Sequence, residues 1–124
     1  MGKFVIKKAP KGLRFDLKAV NGLIVASGDG LYASEAAARK GIETWVKNVA
    51  AAAVEDQTVE GFKKEANPKF EIYRDNRGAY RFRLKAKNGQ TLAVSEGYGR
   101  KASCVKGVNS VIKNSADAAI VTEQ

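Results

Sequence analysis

Arg14-Phe15-Asp16-Leu17-Lys18-Ala19-Val20-Asn21-Gly22 returns further along the chain as Arg81-Phe82-Arg83-Leu84-Lys85-Ala86-Lys87-Asn88-Gly89. The correspondence extends to both sides. Lys3-Phe4-Val5-Ile6 matches Lys69-Phe70-Glu71-Ile72, while Lys40-Gly41 and Lys47-Asn48 match Lys106-Gly107 and Lys113-Asn114. With a single-residue gap in each copy, residues 3–49 and 69–115 share 18 identities over 46 pairs, which makes the chain a tandem duplication.

The same periods follow one another in each copy. Phe4 and Ile6, then Leu13, Phe15, Leu17 and Ala19, alternate with polar residues, as do Phe70 and Ile72, then Tyr80, Phe82, Leu84 and Ala86. Period two marks half-buried antiparallel strands. Pro10-Lys11-Gly12 and Asp75-Asn76-Arg77-Gly78 supply turn chemistry, and Asn21-Gly22 and Asn88-Gly89 predict type I′ hairpins into third strands near 23–27 and 90–95. A helix follows in each copy. Ser34 is a candidate N-cap, and Ala38, Ile42, Trp45, Val46, Val49 and Ala53 form an apolar stripe, as do Cys104, Val108, Val111, Ile112 and Ser115. Gly41 and Gly107 share one helical position, where Gly costs about 1 kcal/mol relative to Ala. Close approach of a neighbour explains them. Short strands are predicted near Val54 and at Ala118–Thr122.

The chain is 124 residues long, enough to bury about two thirds of its extended surface without a staple. It has no His and one Cys, Cys104, so His-based catalysis, nearly all zinc ligand sets and an internal disulfide are excluded. No cofactor is implied. Cys104 and Trp45 lie on apolar stripes and read as core. The short apolar run Phe4-Val5-Ile6 between lysines is neither a signal peptide nor a membrane span, and a cytoplasmic setting is expected. The net charge is +9, of which residues 61–124 carry +7 and residues 1–60 carry +2. Such a balance favours polyanions and says nothing of fold.

The second copy, through Lys69-Phe70-Glu71-Ile72-Tyr73-Arg74-Asp75, Gly78–Gln90 and Ser95-Glu96-Gly97-Tyr98, resembles the YegP-like family of small uncharacterised proteins. Residues 3–57 resemble it more loosely, with Asp16 in place of an Arg and Gly28-Asp29-Gly30-Leu31-Tyr32 in place of Ser-Glu-Gly-Tyr. The resemblance implies an α+β fold in which two β3-α-β repeats join one shared antiparallel sheet, with two helices packed on it and the last strands exchanged. It implies no activity. The repeats are expected at 1–59 and 69–124, joined by a linker at 60–68, as one pseudo-symmetric monomer.

Two features could bind a ligand. Arg81, Arg83, Lys85 and Lys87 alternate with the apolar residues of their strand, at about 6.8 Å spacing, close to that of successive phosphates. The same alternation also serves simply to keep a strand's outer face wet. All four side chains are expected on one solvent face, so that reversing their charges should leave the fold intact. Arg100 and Lys101, after Glu96-Gly97-Tyr98-Gly99 at a helix start, form a second candidate anion site, although such a stretch is also ordinary loop-to-helix punctuation. Tyr98 could stack on a base or pack on the helix end. The expected function is a small, basic, non-enzymatic binding module for a polyanion such as RNA or DNA. The alternative is a protein-interaction or structural module with no nucleic-acid role.

Overall fold

The alternating stretches become strands and the three-four stripes become helices. In the computed structural model, which describes residues 2–123, the first copy runs β1 (Lys3–Ala9), β2 (Gly12–Lys18), β3 (Ile24–Gly28), α1 (Glu35–Ala51) and β4 (Ala53–Asp56). The second runs β5 (Lys69–Arg74), β6 (Tyr80–Lys85), β7 (Thr91–Val94), α2 (Lys101–Ser115) and β8 (Ala119–Thr122). The eight strands form one sheet in the order β4-β5-β6-β7-β3-β2-β1-β8. None of the helices is long and apolar enough to cross a membrane among the described residues.

The last strands are exchanged: β4 lies against β5 and β8 against β1. Both pairings are parallel, so the sheet is mixed rather than antiparallel throughout. Tight hairpins can only produce antiparallel neighbours, whereas a crossover produces parallel ones. Residues 57–68 are such a crossover. They leave the end of β4 and return to the start of its parallel neighbour β5, and so are more than a spacer. The two meanders meet at a short seam, Ser27 opposite Val94 and Gly28 opposite Ala93. Ser27 and Val94 are counterparts in the duplication, which places the pseudo-two-fold axis between them.

One face of the sheet carries both helices. Phe4, Ile6, Phe15 and Leu17 of the first copy and Phe70, Ile72, Phe82 and Leu84 of the second are buried beneath Ala38, Ile42, Trp45, Cys104, Val108 and Val111. The two copies share this core. Trp45 donates its indole N–H to Ser115 Oγ at 2.9 Å from one helix to the other. The opposite face is bare of helices, and the exposed area of 7468 Å² exceeds the roughly 6,400 Å² of an average monomer of this mass.

Local chemistry explains the element ends. Ser34 caps α1 by accepting from the Ala37 N–H at 3.1 Å. Two stripe positions depart from the expected pattern: Ala53 begins β4 instead of extending α1, and Ile112 is 39% exposed. The Asn-Gly turns are not type I′. Among the described residues only Asp117 combines a side chain with positive φ, so Asn21 and Asn88 do not take it, whereas Gly22 and Gly89 do, at 83° and 88°. Register irregularities at Leu17/Lys18 and Leu84/Lys85 absorb the difference.

Gly41 and Gly107 each accept a tyrosine. Tyr32 stacks on Phe15 at 5.7 Å and Tyr98 on Phe82 at 6.4 Å, and each hydroxyl end reaches the glycine of its own helix. A methyl group would stand 2.5 Å from Tyr32 Oη at Gly41, and 2.6 Å from Tyr98 Oη and 2.8 Å from Phe82 Cε2 at Gly107. Alanine gains about 1 kcal/mol of helix propensity, but overpacking costs about 1–3 kcal/mol. Gly107→Ala, which meets two rings, should therefore lower the urea midpoint. A raised midpoint would show that the tyrosine contact does not require glycine.

Candidate polyanion interface

The bare face of the sheet is where the basic strand was expected to act. Alternation along β6 does send Phe82 and Leu84 to the core and Arg81, Arg83 and Lys85 to this face. The register, however, sets each arginine beside a carboxylate. Glu71 lies opposite Arg83 and accepts from its Nε at 2.5 Å, while Asp75 accepts from Arg81 Nε at 2.7 Å. Arg83 also lies 4.4 Å over the Tyr73 ring, and Arg81 donates to the Ser95 carbonyl at 3.1 Å. Only Lys85 of the three has no ion-pair partner among the described residues. Reversing Arg81 and Arg83 would set carboxylates against Asp75 and Glu71, so the expectation that the fold would be indifferent is corrected.

Lys87 leaves this face altogether. β6 ends at Lys85, and Lys87 sits in the hairpin beside α1, where its N–H donates to Asn48 Oδ1 at 3.1 Å. Four cations on one stripe therefore become two paired arginines, one free lysine and one lysine on the helix side.

Further ion pairs extend across the same face. Glu55, 2% exposed, accepts from Lys69 Nζ at 2.8 Å, Gln57 Nε2 at 2.6 Å and the Glu65 N–H of the crossover at 2.8 Å. Burial alone would raise its pKa, but these donors outweigh it and hold the carboxyl at about 2. In the first copy Asp16, fully buried, is met by Lys7 at 2.5 Å, Ser27 Oγ at 2.6 Å and Arg14 at 3.2 Å. Burial again opposes ionisation, and Lys7, Ser27 and Arg14 overcome it to lower the pKa.

The expected anion site at α2 is likewise partly occupied. Lys101 Nζ lies 2.5 Å from Asp56 Oδ2, a carboxylate that β4 brings in from the first copy. Arg100 is exposed at the N-cap position with no side-chain capping bond. Tyr98 stacks one ring face on Phe82 and sets its hydroxyl end against Gly107. Cys104 is fully buried, and its burial pushes the thiol up to about 11.

Four further cations line two grooves on the helix side. A groove of about 650 Å³ lies between α2 and the β2–β3 hairpin, lined by Lys106, Asn109, Ser110 and Lys113 facing Ala19–Asn21. Its pseudo-symmetric mate, about 470 Å³, lies between α1 and the β6–β7 hairpin, with Lys47 and Lys87 on its walls. No ion-pair partner is found for these four lysines among the described residues. The spacing 106, 109, 110, 113 places one row on one side of a helix, a period-three-four signal present in the sequence beside the apolar stripe.

Comparison with known proteins places this architecture. A family model described as a domain of unknown function, DUF1508, matches residues 11–56 and again 75–121. The chain belongs to this family. The UPF0339 protein YegP of Yersinia pestis is 37% identical over 97% of this chain and 94% of its own length. A UPF0339 protein of Treponema denticola is 57% identical over 53 residues, covering 43% of this chain and 91% of that protein, which is about the length of one repeat. The solution structure of E. coli yegP, a protein of unknown function, superposes with a TM-score of 0.77 at 27% identity over 98% of this chain and 92% of that one. YegP-like tandem repeats are thus shown for the fold, and the family supplies no activity.

The ion-pair lattice has a pH signature. Glu55 moves from an ordinary value of 4.5 to about 2 in the folded chain, so its charge contributes stability above pH 4.5 and loses it as pH falls from there toward 2. Denaturant midpoints should fall through that window. Glu55→Gln should be less stable at pH 7 and show a shallower fall; an unchanged pH profile in the variant would exclude Glu55 as a source.

Proposed function

We propose that the chain is a non-enzymatic module that binds a polyanion, RNA or DNA, through the helix layer of the fold. The supporting observation is where charge remains uncompensated. On the bare face the arginines are matched by Asp16, Glu71 and Asp75, whereas Lys106 and Lys113 of α2 have no ion-pair partner among the described residues. Paired cations lose by exchanging one anion for another, while free ones release counterions on binding. The sheet stripe of Arg81, Arg83 and Lys85 thus contributes less than its sequence suggests, and Lys87, Lys106 and Lys113 contribute more.

A binding role also fits the chemistry of the buried groups. The Cys104 thiol is raised out of the nucleophilic range and Asp16 and Glu55 are driven toward permanent ionisation, away from the tuning that a general acid needs. Strand exchange completed within one chain supports a monomer, and the expected setting is the cytoplasm. One observation favours a protein partner instead: Ile24, Leu31 and Val94 are exposed by 40%, 53% and 36% around the seam on the bare face.

Fluorescence anisotropy of single- and double-stranded RNA and DNA at about 50 and about 200 mM salt separates the readings. Binding should weaken steeply with salt. The Lys106→Glu/Lys113→Glu variant should lose about tenfold or more in affinity and Lys85→Glu less than about twofold, since each phosphate contact is a separate additive increment. Absence of binding at the lower salt overturns the polyanion reading and leaves the seam as the surface to pursue.

A further inference from the structure

The duplication provides an internal control, because the two helix–hairpin grooves descend from one design and differ at a few positions. In the second-copy hairpin the Lys87 N–H is satisfied by Asn48 Oδ1 of α1 at 3.1 Å. Its counterpart in the first hairpin is Val20, whose N–H has no acceptor among the described residues. Asn114, the counterpart of Asn48, does not reach it. Its Oδ1 lies beside Gly2, and its Nδ2 donates to the Ser110 carbonyl at 2.8 Å and to Ser110 Oγ at 3.0 Å.

The helix wall differs in donors and charge as well. Because Ser110 Oγ already accepts a hydrogen bond, its own proton is free to donate elsewhere. Asn109, which offers an amide to the groove, occupies the position that Glu43 holds in α1, so a carboxylate on one helix is a neutral donor on the other. Lys106 and Lys113 stand one turn to either side of Asn109 and Ser110, and no carboxylate lines the groove. Relative to its mate, this groove trades the Lys87 ammonium for the open Val20 N–H and adds the Asn109 amide to its helix wall, while neither groove is lined by a carboxylate.

We propose that this groove is a phosphate-binding site. The Val20 N–H, the Asn109 amide and the Ser110 hydroxyl donate to the phosphate oxygens, and Lys106 and Lys113 balance the charge. Charge-assisted donors converging from a backbone amide, a hydroxyl and two ammonium groups suit a tetrahedral dianion or a phosphodiester oxygen pair. The site deepens the polyanion reading and rests on it for the source of the phosphate, a nucleic-acid backbone. A free phosphate presents the same chemistry.

The test is amide-resolved NMR titration of the full chain with inorganic phosphate, with dimethyl phosphate and with a short RNA. The expected result is a saturable shift of the Val20 and Asn21 amides with the Lys87 amide still, and an affinity about tenfold lower in Asn109→Glu, which installs the α1 residue, and in Lys113→Gln. A Val20 shift that never saturates, or that Lys87 matches, overturns the site. RNA binding that persists with Val20 silent also overturns it and leaves the polyanion reading standing. Saturation by inorganic phosphate or dimethyl phosphate without RNA binding supports the site and overturns the nucleic-acid reading.

Discussion

Exchange of the last strand holds this molecule together. β4 completes the second meander and β8 completes the first, so neither copy owns the edge of its own sheet. A unit of about sixty residues buries too little to be robust alone. Joining two such units across a seam of only two residue pairs and the bond from the Asp29 N–H to the Leu92 carbonyl would add little. The exchanged strands and the Trp45–Ser115 bond supply the rest, and one core runs beneath both helices. The pseudo-two-fold axis is a consequence of that closure.

Given that scaffold, the two copies solve one packing problem with opposite charges. Asp16 and Arg83 are counterparts at the centre of the bare face. The first is surrounded by Lys7, Arg14 and Ser27, the second by Glu71 and Tyr73. Each change of sign is answered by its neighbours, so the sheet surface stays locally neutral around both. Part of the excess of cations lies on the helix layer, where α2 has no acidic residue within its length.

Much of the architecture was legible because it depends on local period. Alternation around Phe15 and Phe82, the stripe through Ile42 and Trp45, and the paired glycines all reach the structure as read. What escaped depends on register. Nothing local to Arg83 announces that Glu71, a dozen residues earlier, will lie directly opposite it. Lys87 reads as the next step of a strand until the hairpin turns the chain at Lys85, and the left-handed glycine alone carries that turn. The sense of the exchanged strands is set by crossovers, which leave no periodic trace. The lysine row of α2 was visible at positions 106 and 113, but it competes with the more obvious run of cations on β6, whose carboxylate partners only the fold brings near.

The parallel pairing of β1 with β8 also bears on how the chain yields to force. Lys3 lies beside Ala119 and Ile6 beside Thr122, and the Glu123 N–H reaches the Ile6 carbonyl at 2.7 Å. Tension applied between the start of β1 and the end of β8 pulls these neighbours past one another lengthwise. Their hydrogen bonds are then strained together, unlike a hairpin, whose bonds open one after another like a zip. Forced unfolding is governed by the barrier to the first rupture, and here that rupture must break the whole ladder at once. The exchange that closes the sheet thus also forms a mechanical clamp between the two ends of the fold.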